Sequence, residues 1–139
     1  MIRSLGAMVL GLVGWFGVAT LGNSVLRAFL PGYTQVEAAM AFTLPMQISR
    51  LALGLVSSLC AGALCAAIAR PMSIPPRVVA AILVALFLPV HYSLWDKFPV
   101  WYHLTFLLSL VPLTYVGGTI WSRRQSPRPA HLLGEMTAV

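Results

Sequence analysis

The chain has 139 residues, 59% hydrophobic and 9% charged, with a formal charge of +6 and a mean hydropathy of +0.87. Soluble domains average about 45–50% apolar and about 25% charged, and one small core cannot hide this much apolar surface from water. Disordered, collagen-like and disulfide-scaffold classes are also excluded, because apolar residues dominate and there are only 2 cysteines. An integral membrane protein remains.

A membrane-crossing segment needs roughly 20 predominantly apolar residues. Four runs meet that length, at about 4–26, 46–69, 78–95 and 99–121, each bounded by charge. Backbone polar groups must be satisfied internally in lipid, so these runs are expected to be helices, and no period-2 alternation speaks for a membrane barrel. The fold class is therefore an all-α bundle of four transmembrane helices. The first run follows Arg3 like a signal peptide, but it exceeds the usual h-region of about 7–15 residues and reads as a retained span. On it, Ala7, Gly11, Gly14 and Gly22 share a narrow face with Val18.

The connection that follows contains Pro31-Gly32, a turn signal, and Thr34 with Glu37 at capping-box spacing. A short amphipathic helix is expected over about 35–44, with Val36, Met40 and Phe42 facing lipid or bundle. Pro45 suits the first turn of the second span. Gly54, Ser58, Ala61, Cys65 and Ala69 form a second small-residue stripe there, so spans one and two are expected to pack closely. Cys60 and Cys65 lie five apart, too far and too divergent on a helix for a disulfide, and read as small apolar residues.

Pro71, Pro75 and Pro76 predict a tight non-helical turn over 70–77. Asp96-Lys97-Phe98-Pro99 makes a second short turn, so spans two to four are antiparallel neighbours. Pro89 and Pro112 fall in the latter halves of spans three and four, where a freed carbonyl can line a pathway or be satisfied by neighbours. The segment 123–139 reads as a flexible basic tail against anionic headgroups.

With four spans, Arg3, Arg70, Arg77, Arg123, Arg124 and Arg128 share one side, against Arg27, Arg50 and Lys97 on the other. The positive-inside rule then places both termini in the cytoplasm. The preference for Arg over Lys, with abundant Ala, Leu, Gly and Val, points to a GC-rich bacterial genome, and with four spans a bacterial inner membrane is the expected location. Basic residues at span borders fit topology and lipid contacts rather than nucleic acid.

The segment 91–103 is nearly palindromic about Lys97, with His91 and His103 six residues either side. A tight turn would bring both imidazoles to one depth on adjacent helices, with Asp96 as orienting carboxylate or third ligand. Arg50, beside Gln47, would pair with Glu37 or Asp96, meet an anionic substrate, or snorkel. His91, Asp96, His103 and Arg50 thus make a candidate outer-face cluster for a metal, a haem, a quinone headgroup or a proton. The competing reading is an aromatic belt of Tyr92, Trp95, Trp101 and Tyr102 that tolerates histidine, and it is the commoner use of such residues.

Between Arg3 and Arg27, Arg50 and Arg70, Val78 and Trp95, and Phe98 and Ser122 there is no Asp, Glu, Lys or Arg, which argues against proton-coupled pumps and voltage sensors. No CxxC, HExxH, GxSxG or P-loop appears, and no catalytic residue, metal site or cofactor is assigned. The leading expectation is a non-catalytic accessory, assembly or regulatory subunit acting through helix packing, with the bilayer and a homo-oligomer or membrane-protein partner around it. The alternatives are an oligomeric transporter or channel protomer, and the outer-face histidine site.

Overall fold

The computed structural model describes residues 2–69 and 74–125. Four long helices are present: α1 (Ile2–Phe29), α3 (Leu44–Ile68), α4 (Pro75–Ser93) and α5 (Val100–Gln125), with a short α2 (Tyr33–Glu37) between the first two. All four long helices have the length and apolar composition to cross a membrane. Each is longer than, or shifted from, the run expected from hydropathy. As a result Arg27 falls in the last turn of α1, and Arg50 lies about two turns into α3.

α3 is the central helix, packed against both α5 and α1, and α4 closes the bundle against α5 and α1. Close approach rests on glycine. A Cβ at Gly62 would collide with the Thr114 carbonyl oxygen, and one at Gly117 with the Leu59 carbonyl oxygen, so α3 and α5 touch backbone to backbone. On the α1 side, Gly11 faces the Ala61 carbonyl at 3.2 Å from its would-be Cβ, while Gly14 and Gly22 receive the side chains of Leu64 and Leu53. The expected close packing of spans one and two is present, and the tighter α3–α5 seam joins it.

Both small-residue stripes are thus used inside the chain. Cys65 is buried opposite Gly11, and both cysteines are free. Deeper in the bundle, the Trp15 indole N–H donates to Ser58 Oγ at 3.1 Å, and that hydroxyl donates to the Gly54 carbonyl at 2.8 Å. Such interhelical bonds add to van der Waals packing where lipid offers no hydrophobic drive.

Several local expectations are corrected. The helix expected over 35–44 starts at Tyr33 and stops at Glu37. Gly32, at φ +77°, enters it in the left-handed region, and Met40, at φ +55°, leaves it the same way, with Ala41 N–H returning to the Val36 carbonyl. A left-handed residue ends a helix by redirecting the chain, which turns Phe42 into the core. The capping box is absent: Gly32 is the N-cap, and Glu37 is engaged elsewhere.

Pro75 and Pro76 do not exclude helix but begin α4, because the first turn needs no proline N–H. The remainder of that expected turn, 70–73, lies outside the described residues. α5 continues to Gln125, so Arg123 and Arg124 are helical rather than tail, and 126–139 likewise lie outside the described residues. Pro89 and Pro112 are exposed within unbroken α4 and α5 and face away from the interior.

Candidate functional site

One end of the bundle gathers the C-terminal turns of α1 and α4, the N-terminal turns of α3 and α5, all of α2, and the 94–99 turn. Here a polar chain runs from helix to helix. Arg27 Nε and Nη2 donate to the two Glu37 carboxylate oxygens at 2.8 and 2.9 Å, and Asn23 Nδ2 donates to the same carboxylate at 3.1 Å. The Tyr33 hydroxyl, on a fully buried ring, donates to Asn23 Oδ1 at 2.7 Å and accepts from Arg50 Nη1 at 2.6 Å. Arg27, hydrogen-bonded to it, holds the Glu37 carboxyl below the ordinary carboxylate range, and Asn23 acts in the same direction.

Arg50 is therefore not paired with Glu37 or Asp96, as its position in the sequence suggested. Arg27 takes Glu37 in what is the only ion pair among the described residues, while Asp96 lies exposed on the turn. The Arg50 guanidinium instead lies 4.5 Å over the Phe42 ring, beside the Tyr102 hydroxyl, with its Nε buried and without a hydrogen-bond partner. It is partly buried and forms no ion pair among the described residues, although Glu37 feels its charge.

The two histidines do converge. Their Nδ1 atoms are 2.8 Å apart, with ring centroids at 5.0 Å and planes nearly perpendicular. His103 is completely buried, its face stacked on Trp95 at 4.9 Å, whereas His91 stacks on Phe106 at 4.6 Å. The near-palindrome made this meeting legible, because a short turn places positions six either side of its centre at equal depth.

The aromatic belt is divided by the same turn. Tyr92, Trp95 and Trp101 are exposed on the outside, while Tyr102 is turned inward and buried.

Between α1, α3, α4 and α5 these groups line a partly open cavity of about 410 Å³. Trp15, Phe87 and Phe106 wall its deep end, with ring centroids 4.7 Å apart for Trp15–Phe87 and 5.1 Å for Phe87–Phe106. Arg50, His91 and Tyr102 line the polar end. An apolar pocket of this size with a few convergent polar groups is the usual form of a small-molecule site.

A metal shared by the two Nδ1 atoms would need them more than about 3 Å apart, given Zn–N bonds of about 2.0–2.1 Å. The observed separation is that of a hydrogen bond. Among the described residues no three His, Cys, Asp or Glu side chains gather as a metal site.

Sequence reasoning missed Tyr33, Trp15, Phe87 and Phe106 as parts of this site. All four are aromatic residues scattered along the chain, and only tertiary packing brings them together. The architecture is thus a four-helix bundle of membrane-spanning length with an aromatic, cationic pocket in one half. Compared with protein-family models, curated proteins and solved structures, the chain finds no match in any of the three.

Proposed function

We propose that this chain is a multi-pass membrane protein that binds a small amphiphile with an anionic oxygen head. The head would sit at Arg50 and the apolar body among Trp15, Phe87 and Phe106. One observation carries this reading: a half-buried guanidinium on a cavity wall has no carboxylate partner among the described residues. Its hydrogen-bond partners, Tyr33 and Asn23, are neutral, so the charge is solvated but not balanced, and ionisable groups within spans generally mark a binding path.

Arg27 cannot serve in its place, because Glu37 already neutralises it. The competing reading, an accessory subunit acting through helix packing, draws on the small-residue stripes and the scarcity of charge in the spans; the glycines of both stripes pack within the chain. The bacterial composition and the positive-inside pattern support a cytoplasmic-membrane location with both termini inside, which puts the cavity in the outer half.

The test is equilibrium binding of radiolabelled dodecanoate to the protein in discs of zwitterionic lipid, with empty discs as background. Saturable binding is expected for dodecanoate and none for dodecyltrimethylammonium. Arg50→Gln should weaken it on the order of tenfold or more, the usual scale for a hydrogen bond to a charged group. Competition by phosphatidic acid doped into the discs would identify the head as a lipid phosphate rather than a free carboxylate. Equal uptake of anion and cation, or full binding by Arg50→Gln, would overturn the proposal.

A further inference from the structure

We infer that His91 and His103 form a tautomer-locked pair that presents a single N–H, on Nε2 of His91, to the head of the bound anion. The inference rests on the ligand reading of the cavity and adds a second anchoring residue to it. Two neutral imidazoles joined through Nδ1 at 2.8 Å must differ, one Nδ1 carrying the proton and the other a lone pair. The environment of His103 decides which.

That ring is 0% exposed, and its Nε2 has no hydrogen-bond partner. If His103 accepted at Nδ1, its proton would sit on Nε2 as a buried, unanswered N–H, the rarer kind of orphan in folded proteins. If His103 donates from Nδ1, its Nε2 is a bare lone pair flanked by rings. Donation by His103 is therefore the favoured state, and it fixes His91 as acceptor at Nδ1.

The proton of His91 then resides on Nε2, the ring nitrogen not used against His103. His91 lines the cavity that Arg50 also lines. Two donors from different helices lining one cavity suit a carboxylate or phosphate, with several charged acceptor oxygens, better than an alcohol with one neutral oxygen. Neither histidine changes charge in this scheme. His103 acts only as a positioning residue that fixes the tautomer.

The test has two arms. In the first, protein labelled with nitrogen-15 in histidine, carrying His131→Gln to leave two imidazoles, is observed by NMR in discs without ligand. One ring is expected with its proton on Nδ1 and the other with its proton on Nε2, assigned as His103 and His91 by single substitution. The reversed assignment, or fast exchange between tautomers, overturns the inference whether or not a ligand is known.

In the second arm, His91→Phe should weaken dodecanoate binding on the order of tenfold, and His91→Gln, which restores an N–H donor, should recover most of that loss. Dodecanol, with the same chain and a single hydroxyl, should not compete. Undiminished binding by His91→Phe, while Arg50→Gln still fails, overturns the histidine role and leaves the proposed function standing. Failure of the unmodified protein to bind dodecanoate overturns both.

Discussion

Glu37 accepts hydrogen bonds from Arg27 and Asn23 and so ties α2 to the last turns of α1. Its carboxyl is held below the ordinary range chiefly by the Arg27 hydrogen bond. A carboxylate with a depressed folded-state pKa stabilises the fold above its unfolded value, near 4.3 for Glu. That contribution disappears as pH falls through the lower folded value.

Glu37→Gln should therefore lower Tm at neutral pH by an amount matching about 0.5–1 kcal/mol. The figure is modest because the Arg27 side chain is 49% exposed and water screens the pair. On acidification the unmodified protein should lose this increment while the variant shows no corresponding loss. Thermal melts of both across neutral to acidic pH check it, and parallel curves would show that the pair contributes nothing.

Among the elements, α3 and α5 show how a glycine acts through what stands opposite it. At Gly62 the obstacle is the Thr114 carbonyl and the Gly118 amide, and backbone cannot yield as a side chain can. At Gly22 the obstacle is the Leu53 side-chain tip, which can rotate, and at Gly6 nothing lies within 4 Å. Gly62→Ala should accordingly cost about 1–3 kcal/mol or more by forcing the helices apart. Gly6→Ala should be neutral or stabilise by about 0.5–1 kcal/mol through helix propensity. Melting of the two variants in one detergent separates these cases, and equal effects would contradict the seam.

The same elements show what a single sequence reveals. Gly11, Gly14 and Gly22 were legible as a packing face because they recur at helical spacing. Gly62, Gly117 and Gly118 were not, since the identity of the facing helix is a tertiary fact. The span count followed from hydropathy, and the histidine pair from symmetry about Lys97. The early end of α2 was hidden because it depends on Met40 adopting a left-handed φ that its side chain does not favour. The contacts of Arg50 with Tyr33 and Phe42 were hidden because hydropathy says nothing of which way a cation near a helix start turns.

At the scale of the whole molecule, the two ends of the bundle differ in charge. One carries Arg3, Arg77, Arg123 and Arg124 and no acidic residue among those described, with Arg77 lying 5.6 Å over the Tyr115 ring. The other carries Arg27, Arg50 and Lys97 with Glu37 and Asp96, and the cavity lies in that half. Cations near span ends are retained on the cytoplasmic side during insertion, so the all-basic end should face the cytoplasm and the cavity the outer leaflet.

Orientation then decides from which side an amphiphile arrives. In a background with Cys60 and Cys65 replaced by Ala, Asp96→Cys is exposed at the turn and Ser4→Cys is exposed at the opposite end. A membrane-impermeant maleimide applied to intact cells should label Asp96→Cys and reach Ser4→Cys only after permeabilisation. Replacing Arg123 and Arg124 by Gln should weaken that preference and give a mixed population, because those residues supply half of the described basic charge at that end. Labelling of Ser4→Cys in intact cells, with Asp96→Cys protected, would reverse the orientation and make the cavity accessible from the inner leaflet instead.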